Sequence, residues 1–316
     1  MKMKANRIEW IDLAKGMAIF LMVCGHTSIP ASVSNWIWSF HMPLFFLVSG
    51  MLFFPERHTS FNGFVLRRCR TLLIPWVVFS LVVLCYTPVE AVYAFSHFHN
   101  LYALWFLPVL FVTELMGFFI AKIQFWGGKL IVAICLASIG YLLGEYGITF
   151  PFELEVSLYA TLFYMIGYVC KDALVKVKEK WIAIVALLLT NIILSIILPR
   201  TDMAVNQCGW YGLNAGNALV GTMAFFLLAK KMEKWDAKNI VRRFLTWAGN
   251  NTIIVLGLSQ VLNLIIKDYM ACLPLSNAIS SLLRHLLLWF VLWVLSILIN
   301  RFAPELIGKK RIKQHR

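Results

Sequence analysis

Ile11 to His26 reads IDLAKGMAIFLMVCGH, and this stretch decides the fold. It is apolar enough to enter a bilayer, yet it carries Asp12, Lys15 and His26. On an α-helix turning ~100° per residue, Lys15 and His26 lie within roughly 20° of one another, and Asp12 within roughly 60° of Lys15 and 40° of His26. All three therefore share one stripe, about 16 Å long between Lys15 and His26. Ionisable groups at membrane depth are expensive, so they face a protein interior or a watery cavity and mark a functional site by default. A plainer reading competes with this one. Asp12 and Lys15 make an i,i+3 ion pair near the interface, Lys15 snorkels, and His26 is a packing residue. From spacing alone the two readings stand level.

The composition agrees with the membrane reading. Of 316 residues, 60% are hydrophobic and only 14% charged, with a mean hydropathy of +0.77; soluble domains carry about 25% charge. A soluble globular protein is excluded. The net charge of +14 does not point to nucleic acid, because the basic residues cluster in short segments between apolar stretches. Crossing the hydrocarbon core takes about 20 mostly apolar residues. Such spans number about ten: roughly 8–28, 36–54, 71–88, 101–121, 128–145, 155–171, 181–199, 210–229, 250–267 and 279–301.

With those spans, 25 of the 29 Lys and Arg residues fall on one side: in the N-terminal tail, in the even-numbered connections and in the C-terminal tail. The odd-numbered connections carry instead Glu90, His97, His99, Glu145, Glu153, Arg200 and Asp202. The expectation is an all-α polytopic integral membrane protein with both termini cytoplasmic. A single transmembrane domain covers 1–302, and 303–316 is a short basic cytoplasmic tail, mobile and facing lipid. The seven cysteines are scattered, odd in number and without CxxC spacing, which predicts neither a metal site nor a disulfide framework. The first span is too long, and too interrupted by charge, for a cleavable signal peptide.

Four further constellations could carry chemistry. In SFHMPLFFLVSG (Ser39 to Gly50) His41 precedes a Pro-containing aromatic run, and Ser49 with Gly50 permits close helix approach; the alternatives are an interfacial His in an aromatic belt and a packing notch. In LRRCRTLLIPW (Leu66 to Trp76) Arg67 and Arg70 project together if helical and suit a phosphate group by bidentate hydrogen bonding, although arginines so close to a span also serve as topology anchors. Glu114 lies one turn inside the aromatic opening of the fourth span, and Glu153 and Glu155 stand at the outer rim of the sixth. Asn214, Asn217, Asn250, Asn251, Gln260 and Asn263 in the eighth and ninth spans are helix–helix glue or cavity lining, with glue ranked first.

Taken in order, RIEWIDLAKGMAIFLMVCGH (Arg7 to His26), SFHMPLFFLVSGMLF (Ser39 to Phe53), RRCRTLLIP (Arg67 to Pro75) and WFLPVLF (Trp105 to Phe111) resemble the acyltransferase family 3 membrane proteins. The chain looks most like the branch of fucose 4-O-acetylase-like and polysaccharide O-acetyltransferases. The family pattern of a basic residue, ten intervening residues and a His falls on Lys15 and His26, with Lys where many relatives have Arg. Its pair of arginines separated by two residues falls on Arg67 and Arg70. Late in the chain Gln260 stands where many relatives have His.

The resemblance implies transfer of an acyl group, usually acetyl from acetyl-coenzyme A, to a hydroxyl of an envelope carbohydrate at the bacterial inner membrane. Acyl-coenzyme A is then a co-substrate, no cofactor is permanently bound, and membrane lipid surrounds the chain. A hydroxyl attacking a thioester needs a general base that titrates near neutrality, which His26 supplies. Asp12 and Lys15 position the donor or the stripe, Arg67 and Arg70 hold phosphate, and His41, Ser49 and Glu114 are candidate contacts of the acceptor. A transporter or flippase of a lipid-linked saccharide is the rival reading. It would place matching interrupted helices in two halves of the chain, and the sequence shows no such repeat.

Overall fold

A computed structural model describes residues 8–27, 29–57, 60–87, 98–272, 276–309 and 311. Lys2, Lys4, Arg7, Glu90, His97, Lys310, Lys313 and Arg316, which entered the topology argument, lie outside the described residues. Among the described residues there is no β-strand. In chain order the helices begin with α1 (Glu9–Gly25), α2 (Ala31–Trp38), α3 (His41–Met51), α4 (Phe61–Arg68) and α5 (Ile74–Tyr86), with a π-helical turn (Cys69–Leu73) joining the last two. A 3₁₀ segment (Phe98–Trp105) then leads into α6 (Phe106–Ile120), followed by α7 (Trp126–Glu145), α8 (Leu154–Lys176) and α9 (Trp181–Ile197). The last four are α10 (Tyr211–Glu233), α11 (Ile240–Asn250), α12 (Thr252–Ala271) and α13 (Asn277–Phe302).

Among the described residues seven helical stretches are long and apolar enough to cross a membrane: Phe61–Tyr86, Leu101–Ile120, α7, α8, α10, α12 and Ile279–Phe302. Their outward sides are apolar, as with Ile131 and Ile139 on α7 and Leu282, Leu286 and Phe290 on α13. Such faces belong in hydrocarbon, and the chain is a multi-pass helical membrane protein. Three of the ten expected spans are shorter. α1 and α9 have 17 residues each, about 25 Å of rise and close to the lower limit for spanning. The second span is broken, because the backbone leaves the helix at Phe40 (φ −140°). There Ser39 Oγ donates to the Trp36 carbonyl at 2.7 Å, and the buried Phe40 ring stacks on Phe225 at 4.6 Å.

The described residues form two compact units. The first comprises residues up to Leu52, Ile166–Asp202 and Cys208–Thr252. Its centre is α1, whose Leu13, Ala14, Ala18 and Ile19 are fully buried and which packs on α3, α10 and α11. α1 and α11 cross at two glycines. A Cβ on Gly16 would lie 1.9 Å from the Leu245 carbonyl oxygen, and one on Gly249 1.8 Å from that of Asp12, so no side chain fits at either position. Polar groups tie the other helices together. Asn191 on α9 accepts from Trp36 Nε1 at 2.7 Å and donates to Asn217 Oδ1 on α10 at 2.8 Å, which realises the glue reading for Asn217. Lys230 ends its buried course with Nζ on three carbonyl oxygens at the end of α8, those of Leu174, Val175 and Val177, at 2.6, 2.9 and 2.8 Å. A cation there satisfies orphan carbonyls and the negative end of the helix dipole.

The second unit comprises Phe53–Met165, Met203–Gln207 and the residues from Ile253 onward. Phe53, Phe64, Phe118 and Tyr164 pack ring on ring, with Phe64 and Phe118 stacked at 5.0 Å. Thr113 on α6 donates to the Ser157 carbonyl on α8 at 3.3 Å. Glu153 and Glu155 are both buried, and Glu155 accepts from the Phe150 N–H at 3.1 Å and bonds the Glu153 carboxyl. The expectation of a mobile tail from Ala303 is corrected in its first part. Pro304–Ile307 forms a 3₁₀ turn packed on α5 and α13, with Pro304 and Ile307 buried. Residues i and i+3 of a 3₁₀ turn eclipse, so these two apolar side chains dock together.

Candidate active site

The stripe on α1 is held at its beginning by ions. Trp10 N–H donates to Glu233 at 3.1 Å, Arg242 holds Glu9 at 2.8 Å, and Lys15 Nζ pairs with Asp12 at 2.7 Å. Asp12 is 92% buried at its side chain and Lys15 is one-fifth exposed. Asp12 and Lys15 are thus brought together as the i,i+3 ion pair. His26 is not brought to them: it sits eleven residues on along the same rod, about 16 Å away.

His26 is the C-cap of α1 (φ −89°, ψ 13°), and its exposed side chain makes no hydrogen bond among the described residues. Its imidazole lies edge-to-face on Trp38, with ring centroids 4.9 Å apart. The other neighbour of that indole is His41, at 5.3 Å, and the Arg200 guanidinium lies over it at 5.6 Å. His41 is buried and its Nδ1 is 2.8 Å from the Ile37 carbonyl oxygen. A carbonyl only accepts, so Nδ1 carries the hydrogen of this bond. Gly25 makes the cluster geometrically possible, since a Cβ there would lie 2.2 Å from Trp38 Cζ3. The fold therefore joins His26 and His41, fifteen positions apart in sequence, through one indole. An exposed imidazole with a fixed ring at its back can exchange a proton with a substrate hydroxyl.

The second unit carries the arginine pair. Arg67 is the exposed penultimate residue of α4, and Arg70, half-buried, lies in the π-turn. The i→i+5 register of that turn changes the angular phase on which their common projection was reckoned. Thr71 Oγ1 donates to the Arg67 carbonyl at 3.1 Å, and such a bond re-satisfies backbone where a ladder is interrupted. Neither Arg67 nor Arg70 has an ion-pair partner among the described residues. Arg68, between them, turns inward and pairs through Nε with Glu114 at 2.7 Å. Glu114, a candidate acceptor contact, is 97% buried and already engaged. Ser49 Oγ donates back to the Phe45 carbonyl at 2.9 Å. Among the described residues no three His, Cys, Asp or Glu side chains are grouped for a metal ion.

The family model described as an acyltransferase domain, that of acyltransferase family 3, matches residues 8–301. The chain belongs to acyltransferase family 3. No curated protein and no solved structure matches it. For this acyltransferase the sequence marks His26 and His41 but not the ring that joins them. In the sequence Trp38 is legible only as one of the aromatic residues beside His41, and Arg200 only as a loop charge. The i+3 spacing of Trp38 and His41 was the signal available, hidden because the chain breaks helix between them. Arg68 was read as a topology anchor, and Asn191 gave no signal beyond being polar in an apolar helix.

Proposed function

We propose that this membrane acyltransferase moves an acyl group, acetyl from acetyl-coenzyme A in the first instance, to a hydroxyl of an envelope carbohydrate. We place it in a bacterial inner membrane with about ten helices and both termini cytoplasmic, which is what the loop charges support. The single observation that carries the mechanism is the His26 imidazole, exposed at the end of α1, without a hydrogen-bond partner among the described residues and backed by Trp38.

In this reading His26 takes the proton of the acceptor hydroxyl as its oxygen attacks the thioester carbonyl. The tetrahedral oxyanion then collapses, the C–S bond breaks, and the coenzyme A thiolate leaves with the proton that His26 returns. Arg200, which lies over the Trp38 indole behind that ring and 3.9 Å from Asp202, offers charge to the oxyanion. Trp38 and His41 position the imidazole, Asp12 and Lys15 fix the polar stripe of α1, and Arg67 with Arg70 holds donor phosphate. The test is purified protein in nanodiscs with labelled acetyl-coenzyme A and candidate glycans. His26→Ala should lower transfer about 10²- to 10⁴-fold with insertion and thermal unfolding unchanged. Wild-type turnover in that variant would remove His26 from the chemistry.

A further inference from the structure

Within the first unit a cavity of about 550 Å³ lies between α1, α10 and α11, a size usual for small-ligand sites. Met17, Phe20 and Leu21 of α1, Phe225 of α10, and Val241 and Phe244 of α11 line it, and among the described residues no polar side chain does. It opens at the start of α11, where Ile240 and Val241 belong to its lining and are 80% and 47% exposed.

This cavity is separate from the polar stripe of α1. At ~100° per residue Met17, Phe20 and Leu21 lie roughly 120–180° around the helix from Lys15 and His26, so an occupant faces away from that imidazole. Walls without a polar side chain have nothing to hold a sugar or a phosphate. They suit a hydrocarbon chain, which gains by contact with apolar surface.

The rim adds charge. Residues 230–243 carry six cations, Lys230, Lys231, Lys234, Lys238, Arg242 and Arg243. Four are engaged: Lys230 by the carbonyls ending α8, Lys231 over the Trp181 ring, Lys234 by Glu179 and Arg242 by Glu9. Lys238 and Arg243 are exposed and have no side-chain partner among the described residues. Arg243 is the i,i+3 surface neighbour of Ile240, and Lys238 precedes Ile240 by two residues, so both flank the opening. The nearest carboxylates already accept backbone hydrogen bonds, Glu233 from Trp10 N–H at 3.1 Å and Asp236 from Lys238 N–H at 2.8 Å. On α11 the apolar Ile240, Val241, Phe244 and Leu245 fall on one side, and Arg242, Arg243, Thr246 and Asn250 on the other. A basic amphipathic helix of this kind belongs at the boundary of headgroups and acyl chains.

We infer that the cavity holds an acyl tail of an anionic phospholipid, whose phosphate lies between Lys238 and Arg243. The apolar walls fix the tail and the two unanswered cations fix the sign of the headgroup. This goes beyond the proposed acyl transfer and does not depend on it.

The test places the full chain in phosphatidylcholine nanodiscs with a trace of phosphatidylglycerol that carries a photoreactive diazirine in its tail, and labelled peptides are mapped by mass spectrometry. Label is expected on the peptides of Met17–Leu21 and Ile240–Leu245, displaced by unlabelled phosphatidylglycerol and not by added phosphatidylcholine. Lys238→Gln with Arg243→Gln, both on the surface, should weaken that competition about thirtyfold, about fivefold for each cation. Val241→Trp, which fills the opening and keeps the charges, should abolish labelling there. Equal labelling by a phosphatidylcholine probe would mean bulk lipid only and would overturn the inference. So would an equal loss in Lys176→Gln with Lys178→Gln, exposed lysines of the same unit, which would mean diffuse attraction. Displacement by palmitoyl-coenzyme A but not by phosphatidylglycerol would assign the cavity to the acyl donor instead.

Discussion

Gly25→Ala tests whether one indole joins the two histidines. A methyl on Gly25 would lie 2.2 Å from Trp38 Cζ3, while ordinary contact begins near 3.4 Å, so the ring must retreat by about 1.2 Å. Overpacking of this kind costs about 1–3 kcal/mol. Replacing glycine at a helix end returns less than about 1 kcal/mol, so a net loss of about 1–2 kcal/mol is expected from equilibrium unfolding in mixed micelles. Turnover should fall further than stability does. The ring that moves lies 4.9 Å from His26 and 5.3 Å from His41, and a displacement of about 1 Å at a catalytic group costs about 10²-fold. The control is a double-mutant cycle with Trp38→Leu, which removes the atom that is struck. In that background Gly25→Ala should change stability by less than about 0.5 kcal/mol. An unchanged Gly25→Ala enzyme, or the same loss with and without the indole, would refute the placement of Trp38.

The remaining expectations concern charges. Lys230→Met strips three carbonyls at the end of α8 of their shared cation and should destabilise the chain by about 2–4 kcal/mol, read from the same unfolding transition. Glu114→Gln leaves Arg68 facing a neutral amide. Because Arg68 is 22% exposed the loss should be about 2–3 kcal/mol, below that of a fully buried pair, and Arg68→Gln in the same chain should recover part of it. Arg67→Gln and Arg70→Gln should each raise KM for acetyl-coenzyme A about tenfold or more with kcat kept, and less for a donor lacking the ribose phosphate. Equal effects on both donors would detach these arginines from that phosphate.

What the residues disclosed depended on whether residue type alone carries the signal. α1 was legible because Asp12, Lys15 and His26 are anomalies in an otherwise apolar run, and the ion pair follows from i,i+3 spacing. The break at Ser39–Phe40 was not legible, since the run around it stays apolar and the turn is fixed by a hydroxyl on a carbonyl and a stack on Phe225. The π-turn left no mark either. Its change of register is a property of backbone hydrogen bonds, yet it falls within the run that carries Arg67, Arg68 and Arg70. The choice between glue and cavity lining could not be made from the letters, because Asn and Gln look alike in both roles. Asn217 proved to be glue with Asn191, a partner 26 residues away, whereas Gln260 Nε2 has no partner among the described residues.

Partnering sorts the polar groups of a chain that keeps them in hydrocarbon. A buried charge that meets its counter-ion inside the fold contributes little net stability but is costly to orphan, so Asp12, Glu114 and Lys230 read as structure. Their neighbours Lys15, Arg68 and the carbonyls of Leu174, Val175 and Val177 account for them. Selection for folding alone gives no reason to retain a guanidinium such as that of Arg284, buried without a partner among the described residues, since an apolar side chain of similar size would serve at least as well. The same reasoning applies to His26, whose imidazole ends a helix that a non-titrating residue could end as readily. These two groups, in separate units, are therefore where an incoming molecule has most to supply. If Arg284→Met proved as stable and as active as the wild-type chain, burial without a partner would lose its value as a guide to function here. His26 would then have to stand on its own kinetics.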